Sequence, residues 1–213
     1  TDHTPKPLLA VGGRALIEYH LESLAQAGIR EVVINLGWLG AQIRDALGDG
    51  ARYQINIAYS DEGWPALETG GGIRRALPLL GAAPFLVLNG DVYCDYPLAE
   101  LRRCAEQLPA QDLAHLLLVA NPEHHPAGDF VMDGQRIVEP IPNAAPKFTF
   151  SGLSVLRPEL FAESAEGAFG LAPLLRAAAT RQQVAATLHP GRWSDVGTPQ
   201  RLAALEAQLS RHH

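Results

Sequence analysis

The side chains best suited to chemistry in this sequence are the carboxylates of Asp91 and Asp195. Asp91 closes an Asn-Gly-Asp tripeptide that directly follows the apolar run 85–88. In open α/β sheets, ligands bind beyond the carboxyl ends of strands, and Mg²⁺ is usually held by one or two carboxylates together with substrate phosphates. Asn-Gly-Asp is also a common turn, so the tripeptide alone leaves a turn and a metal site open with about equal weight.

Asp195 lies in the segment Trp-Ser-Asp-Val-Gly-Thr-Pro at 193–199. Thr198 and Pro199 have the residue types that begin a helix, a threonine at the N-cap and a proline at the first helical position. Capping gives no reason for Trp193, or for an aspartate three residues before the cap. The segment therefore indicates a second carboxylate at the end of a strand.

A lysine and a glycine cluster complete the set of candidate ligand-binding residues. Lys6 lies between two prolines, which restrict the backbone on both sides and hold the ammonium group in place, as a phosphate contact requires. Glu68 is followed by Thr69 and three glycines, between a predicted strand and a predicted helix. Glycines allow backbone amides to approach a ligand, although such loops more often serve only as turns.

The elements that must position these residues alternate between strand and helix. Short apolar or β-branched runs predict strands, and apolar residues at helical spacing predict helices. Through about residue 120 the pattern is βαβαβ, which predicts a mostly parallel sheet with right-handed crossovers. The predicted strands of this half are 31–36, 55–59, 85–88 and 116–120, and its predicted helices are 15–27, 41–47, 73–80 and 98–108.

The second half of the chain is less regular. Residues 129–132 and 136–139, joined by Asp133-Gly134, predict a hairpin, and 148–156 predicts a long strand. A helix over 171–179, a strand over 184–189 and a closing helix over 199–210 follow. The predicted fold is one α/β domain over residues 1–213: a three-layer, Rossmann-like, mixed but mostly parallel sheet with a small antiparallel insertion.

Composition excludes several classes of protein. The 213 residues are 47% hydrophobic and 19% charged, which excludes intrinsic disorder. A net charge of −6 argues against a nucleic-acid or anionic-membrane binder, and the apolar runs are of strand length, too short for a membrane helix. Two cysteines make neither a disulfide framework nor a zinc site. We expect a cytoplasmic protein without nucleic-acid or membrane partners, and a monomer or weak dimer.

Other polar and aromatic residues have simpler interpretations. His124 and His125 are too close together for one tetrahedral metal site and are expected in a solvated loop. Trp38 and Trp64 are expected to pack or to form part of a lid. Cys94 has no basic neighbour in the sequence that would activate its thiol.

Together these segments resemble the sugar-1-phosphate nucleotidylyltransferase family over essentially the whole chain. The matches occur in the family's order. Residues 4–8 resemble T-x-K-P, 67–73 resemble the L-G-T-A-G-A-L nucleotide loop, and 89–91 match the G-D metal motif. Residues 127–130 correspond to the Y-G-V sugar segment, Glu139-Pro140 to E-K-P without its lysine, 151–153 to A-G-I, and 193–198 to W-x-D-x-G-T.

The resemblance implies a nucleotidyl transfer from a nucleoside triphosphate to a sugar-1-phosphate, with Mg²⁺ as cofactor. It implies roles for the following residues: Lys6, Asp91 and Asp195 in catalysis, Asp91 and Asp195 on the metal, Lys6, Glu68, Gly70 and Gly71 on the nucleotide, and Asn89, Gly128, Glu139, Ser151, Gly152 and Asp195 on the sugar. The variant glycine loop and the short chain resemble a uridylyltransferase branch, and short guanylyltransferase-like proteins share the loop.

Two other classes stay open at this stage. A glycosyltransferase would need an Asp-x-Asp metal pair, whereas the next acid after Asp91 is Asp95. A non-catalytic nucleotide-sugar sensor would keep the fold and lose the family's opening strand and its L-A-A-G-x-G-x-R-x-x-P triphosphate loop. The sequence begins just downstream of that position, and we expect that the native protein has residues before Thr1.

Overall fold

The computed structural model describes residues 3–139 and 145–210; Pro140 of the Glu139-Pro140 pair, Thr1, Asp2 and the closing His212-His213 lie outside these ranges. The strands are β1 (Ala10–Val11), β2 (Arg14–Ala15), β3 (Glu31–Leu36), β4 (Asn56–Asp61), β5 (Phe85–Leu88), β6 (Val92–Cys94), β7 (Ala114–Val119), β8 (Phe130–Asp133), β9 (Arg136–Val138), β10 (Lys147–Leu156), β11 (Val184–His189) and β12 (Trp193–Asp195). The helices are α1 (Leu16–Gln26), α2 (Gly40–Leu47), α3 (Glu68–Leu80), α4 (Leu98–Glu106), α5 (Leu171–Ala179) and α6 (Pro199–Ser210), with short 3-10 turns at Lys6–Leu8, Ala51–Tyr53 and Pro158–Phe161.

A six-stranded mixed sheet in the order β5-β10-β7-β11-β9-β8 forms the centre of the molecule. β10 runs antiparallel to both β5 and β7, whereas β11 runs parallel to β7. β5, β7 and β11 therefore point the same way and end at one edge, called here the carboxyl edge. Their opposite ends form the amino edge.

The prediction of a mostly parallel sheet is not confirmed. Among the described residues, only the β3–β4 and β7–β11 pairings are parallel. β10, a ten-residue strand, lies between β5 and β7 and is antiparallel to each of them. A strand's own sequence does not encode the direction of its neighbours, which explains the error. The antiparallel hairpin β8–β9 is confirmed, with Gly134 and Gln135 in its loop.

Helices cover both faces of this sheet, as the three-layer prediction requires. On β7, Leu116 and Leu118 join the core that holds the apolar side of α5, while Leu117 joins the core that holds Leu101 of α4. All three leucines are fully buried. The alternation gives β7 an uninterrupted apolar sequence, because neighbouring side chains enter different cores.

β3 and β4 form a separate parallel pair, against which α3 packs. The helix begins at Glu68, so the glycine cluster lies in its first turns and not in a loop before it. Glycine has a low helix propensity, which explains the later start predicted from the sequence. No helix in the described ranges is long and apolar enough to span a membrane.

Candidate functional site

A short two-stranded ladder brings Asp91 and Asp195 together. Asp91 immediately precedes β6, and β12 ends at Asp195, which pairs with Val92 in the antiparallel register. The N–H of Val196 donates to the carbonyl of Asp91 at 2.7 Å. The two aspartates are therefore neighbours on adjacent strands. The ladder makes the backbones of the two aspartates adjacent, and a metal ion shared by their carboxylates stays a prediction.

Lys6 faces the first of these carboxylates. Its Nζ atom lies 3.5 Å from Oδ2 of Asp91, and both side chains are about two-fifths exposed, 43% and 38%. Lys6 begins a 3-10 turn after Pro5, and Pro7 packs on Gly90, where a Cβ atom would lie 3.1 Å from the ring. The prolines restrict the backbone on both sides of Lys6, whose ammonium group lies next to the Asn-Gly-Asp turn, and the phosphate contact expected from the sequence stays a prediction.

Asp195 is held by two basic side chains. Nη1 of Arg201 lies 2.9 Å and 2.7 Å from the two carboxylate oxygens, and Nε2 of His124 lies 3.0 Å from Oδ1. Arg201 belongs to the first turn of α6, where Thr198 accepts a hydrogen bond from its backbone N–H at 3.3 Å. The predicted N-cap at Thr198 is therefore confirmed.

The histidine pair lies in a loop, as expected, but each histidine contacts a carboxylate that the sequence did not identify. His124 contacts Asp195, and Nε2 of His125 lies 2.9 Å from Oδ1 of Asp129. Both side chains are only about two-fifths exposed. Sequence reasoning also missed Arg201. The only signal for it was a basic residue in the first turn of a helix, where the positive end of the helix dipole disfavours cations.

The two carboxylates fit a divalent cation that prefers oxygen ligands. Mg²⁺ commonly uses one or two carboxylates and completes its octahedral shell with water and substrate phosphates. In the described ranges no group of three or more His, Cys, Asp or Glu side chains is arranged around a single metal position. A metal ion at the two carboxylates stays a prediction.

Two of the residues predicted on the sugar side, Asn89 and Gly152, meet where the end of β5 lies beside the middle of β10. The N–H of Asn89 donates to the carbonyl of Gly152 at 3.0 Å. Gly152 has a φ of +84°, and a Cβ there would lie 2.8 Å from Nδ2 of the Asn89 side chain. The register of β10 against β7 shifts between Phe150 and Ser154. Such irregularities re-aim side chains next to active sites.

Ser151 has a supporting position. Its side chain is fully buried, and its Oγ accepts a hydrogen bond from the N–H of Leu153 at 3.1 Å. Its carbonyl accepts one from Nε1 of Trp193 at 2.8 Å. This contact gives the reason for Trp193 that capping could not give, because the indole fixes β12 against β10.

Gly128 allows a close approach between two segments. It has a φ of +59°, and a Cβ there would lie 2.7 Å from Oδ1 of Asn121 and 2.9 Å from Cβ of Lys147. The next residue, Asp129, accepts a hydrogen bond from the N–H of Phe150 at 2.8 Å. The segment that carries Gly128 is thereby fixed to the first half of β10.

Glu139 is paired with an arginine that the sequence did not identify. Arg176 of α5 donates to the Glu139 carboxylate and to the carbonyl of Asp129, the latter at 2.7 Å. The guanidinium also lies 4.8 Å from the ring centroid of Phe130. Glu139 is only 11% exposed and is therefore positioned by Arg176 at the rim of the sugar-side segment.

The residues predicted to bind the nucleotide lie on another element, the first turn of α3. Glu68 has a φ of +58°. The N–H of Gly71 donates to the carbonyl of Phe169 at 3.0 Å, and a Cβ at Gly70 would lie 2.5 Å from the Phe169 ring. Phe169 at Gly70, and the backbone carbonyl of Gly167 at Gly71, leave no room for a Cβ and explain why these two positions are glycine. Their contact with a nucleotide remains a prediction.

Two buried groups lie behind the Asn-Gly-Asp turn, beside a cavity of about 330 Å³ lined in part by Tyr19, His20, Tyr93 and Cys94. Burial lowers the pKa of His20, an effect that backbone groups of Val92 and Asn89 and the charge of Asp91 partly offset. Burial raises the pKa of Cys94 to about 11, so its thiol is protonated at neutral pH.

The class of protein follows from a comparison with family models. The family model described as nucleotidyl transferase matches residues 1–212, and the chain belongs to that family. The fold agrees with a Bacillus anthracis crystal structure, with sucrose bound, that is provisionally assigned as a glucose-1-phosphate thymidylyltransferase. Its TM-score is 0.85 at 19% identity, over 98% of this chain and 87% of that one.

Two curated relatives carry one name. The chain is 50% identical to N-acetylmuramate alpha-1-phosphate uridylyltransferase of Neisseria meningitidis serogroup B, strain MC58, over 97% of this chain and 90% of the relative. It is 31% identical to the protein of the same name from Caulobacter vibrioides, over 99% of this chain and 90% of the relative.

Proposed function

We propose that this enzyme transfers a uridylyl group from UTP to N-acetylmuramate α-1-phosphate and releases pyrophosphate. The observation that carries the proposal is the β6–β12 ladder, which places Asp91 beside Asp195 with Lys6 opposite. Similarity to the two uridylyltransferases supports the choice of substrates. The product is a nucleotide sugar of cell-wall recycling, and we place the enzyme in the cytoplasm, as a monomer or weak dimer without nucleic-acid or membrane partners.

The reaction needs positioning and charge neutralisation more than proton transfer. A phosphate oxygen of the sugar-1-phosphate attacks the α-phosphorus of the triphosphate in line, and pyrophosphate leaves from the opposite side. The nucleophile is already an anion at neutral pH, so no general base is required. The barrier comes from bringing two polyanions together and from the charge that develops on the transferred group.

Asp91 and Asp195 would hold Mg²⁺, which would supply Lewis-acid and template chemistry at the α-phosphate. Lys6 would contact a phosphate oxygen, and its proline-restricted backbone keeps the ammonium group beside Asp91 before substrate arrives. The half-exposed position of both side chains leaves them accessible to a ligand. Arg201 adds positive charge on the Asp195 side, and His124 contacts the same carboxylate.

Substrate binding divides between two regions. We assign the nucleotide to Glu68, Gly70 and Gly71 at the first turn of α3, where a helix N-terminus favours polar or anionic groups. We assign the sugar to the segments around β10, namely Asn89, Gly128, Glu139, Ser151 and Gly152. The hydrogen bond from Asn89 to Gly152, the bonds of Ser151 to Leu153 and Trp193, and the Glu139–Arg176 pair hold this region in place without the sugar.

The test is a panel of UTP, GTP, dTTP and ATP against N-acetylmuramate, N-acetylglucosamine and mannose α-1-phosphates, with Mg²⁺ present and pyrophosphate release as the readout. We expect the highest kcat/KM with UTP and N-acetylmuramate α-1-phosphate. A preference for GTP and mannose-1-phosphate would favour a guanylyltransferase. Nucleotide-sugar binding without pyrophosphate release from any pair would indicate the non-catalytic sensor.

A further inference from the structure

Arg201 occupies the metal-binding face of Asp195. Its Nη1 lies within hydrogen-bond distance of both carboxylate oxygens, and the two side chains are 27% and 31% exposed. A cation that bound Asp195 would have to share these oxygens with the guanidinium or displace it. The metal ion and the Arg201 guanidinium are both positively charged and repel each other at one carboxylate. Metal binding to Asp195 therefore competes with the Arg201–Asp195 ion pair.

The position of Arg201 is not explained by its helix. It lies in the first turn of α6, at the positive end of the helix dipole, where acidic residues are favoured and none is present. Its Nε atom is buried and lacks a hydrogen-bond partner in the described structure. The ion pair with Asp195 offsets both the unfavourable helix-dipole position and the unpaired Nε atom.

Gly197 makes this contact possible. A Cβ at position 197 would lie 1.9 Å from Nη2 and 2.8 Å from Cζ of Arg201. The guanidinium therefore folds back over the glycine to reach Asp195, and any larger residue would push it away. Because the obstructing atoms are the flexible end of a side chain, an alanine at 197 would displace Arg201 with little strain elsewhere.

The same arrangement recurs at the other carboxylate, where Lys6 opposes Asp91. Each proposed metal ligand thus has a cation of its own before any ligand binds, and the site is close to neutral. A metal ion that binds without substrate must displace Lys6 and Arg201 from the two carboxylates. When substrate binds together with the metal ion, its phosphates can bind the displaced Lys6 and Arg201 side chains.

We propose that Arg201 is a positioning residue that masks Asp195 in the free enzyme and moves to a phosphate of the substrate when the metal occupies Asp195. A guanidinium is suited to this exchange because its planar fork binds carboxylate and phosphate with similar two-point geometry. The exchange makes metal binding depend on substrate. The inference rests on the proposed function for the metal role of Asp195 and for the identity of the phosphate.

The experiment measures binding of Mn²⁺ alone, without nucleotide or sugar, by electron paramagnetic resonance at fixed ionic strength. Mn²⁺ is the probe because carboxylate and water ligands suit it as they suit Mg²⁺. We expect Arg201→Gln and Gly197→Ala each to bind Mn²⁺ about 3- to 10-fold more tightly than wild type, as loss of a competing, partly exposed ion pair would produce. Asp195→Asn should weaken binding.

Gly197→Ala keeps every charge of the protein, so a gain in that variant reports the position of the guanidinium and not the net charge. Arg103→Gln on α4, which removes an exposed arginine paired with Glu100, is the matched control and should leave Mn²⁺ affinity unchanged. A merely structural Arg201 would leave Mn²⁺ binding unchanged or weaker in both site variants, and that result would overturn the proposal.

The second arm is a KM measurement for each substrate with the other saturating. Arg201→Gln should raise the KM of the triphosphate or of the sugar phosphate by about 3- to 10-fold, and which of the two rises identifies the phosphate that Arg201 contacts. No change in either KM would contradict the exchange. Absence of pyrophosphate release by wild type would defeat the proposed function, while the Mn²⁺ affinities would still decide the masking.

Discussion

The two edges of the central sheet both carry a carboxylate paired with arginine, but the pairs differ in exposure and surroundings. At the carboxyl edge, Asp195 is 31% exposed and faces Arg201 and His124. At the amino edge, just before β7, Asp112 is 1% exposed and its Oδ1 lies 2.5 Å from Arg136. The first pair is accessible to a ligand, whereas the second is enclosed.

The neighbours of Asp112 show what the enclosed pair does. Arg157, which follows β10, donates to the carbonyls of Asp112 and Leu108 at 2.9 Å and 2.8 Å, and the N–H of Leu113 donates to Gln183. These bonds close the loops that lead into β7 and β11. A buried pair that closes loops supports the fold, and a half-exposed pair at the ends of strands is free to exchange partners.

The largest effect is expected at the carboxyl edge. Asp91→Asn removes a charge that the proposed metal requires, and turnover with Mg²⁺ should fall by about 100- to 1,000-fold, as loss of a key electrostatic contact does. Steady-state pyrophosphate release measures it, with Asp61→Asn, an exposed aspartate paired with Arg44, as control. Unchanged turnover in Asp91→Asn would refute the metal assignment.

At the amino edge the effect should fall on stability. Arg136→Gln leaves the Asp112 carboxylate buried and unpaired, because its Oδ2 has no partner among the described residues. We expect the free energy of unfolding to drop by about 3 kcal/mol. Urea denaturation measures the unfolding free energy of this variant and of the control Arg103→Gln, which removes an exposed arginine and should cost less than about 0.5 kcal/mol. The difference between the two variants is the effect of leaving a buried carboxylate unpaired. A cost equal to that of the control would show that the pair contributes little.

Discrimination between sugars should be smaller. N-acetylmuramate carries a lactyl carboxylate that N-acetylglucosamine lacks, and an unpaired buried charge would be costly. We expect this carboxylate to face solvent, backbone donors or Lys147, and the preference in kcat/KM to be about 10- to 200-fold. Parallel kinetics with UTP measure the ratio. A clear preference for the lactyl-free sugar would contradict the substrate while leaving nucleotidyl transfer intact.

The smallest effect concerns pH. Burial lowers the pKa of His115 in β7 below its ordinary value of 6.5, with Asp112 and Arg136 acting in opposite directions. The unfolded chain therefore takes up a proton near pH 6.5 before the folded one does, and stability falls as the pH drops below 6.5. His115→Gln, which can still reach Thr187, should flatten this dependence by at most about 1.4 kcal/mol per pH unit. Urea denaturation of wild type and of His115→Gln at pH 7.5 and 5.5 measures the change in unfolding free energy with pH. An equal change in both proteins would show that His115 does not contribute to it.

The sequence predicted most elements because each carries its own local signal. β5, α5, β11 and α6 have the predicted bounds, and Gly28 lies just beyond α1 with a φ of +77°. The strand β10 was also predicted, over 148–156, but local patterns do not contain strand direction, so its antiparallel pairing with β5 and β7 was not. Trp38 and Trp64, expected to pack or to act as a lid, are 57% and 74% exposed and contact each other.

The candidate site divides in the same way. Motifs identified Lys6, Asp91 and Asp195, because their neighbours in sequence are unusual. Arg201, His124 and Arg176 were missed, since each acts through a carboxylate that is distant in sequence or that a turn alone brings close. The roles of Glu68, Gly70 and Gly71 on the nucleotide stay predictions.

The most direct measurement compares Asp195→Asn with Arg136→Gln in the same two assays, turnover with Mg²⁺ and free energy of unfolding. The account predicts that Asp195→Asn loses about 100-fold or more in kcat while its unfolding free energy changes by less than about 1 kcal/mol. Arg136→Gln should lose about 3 kcal/mol of stability and keep its kcat below the unfolding transition. Two results would contradict the account, which assigns catalysis to the carboxyl edge and structural stability to the amino edge. One is full turnover in Asp195→Asn, and the other is a loss of turnover in folded Arg136→Gln as large as that expected for Asp195→Asn.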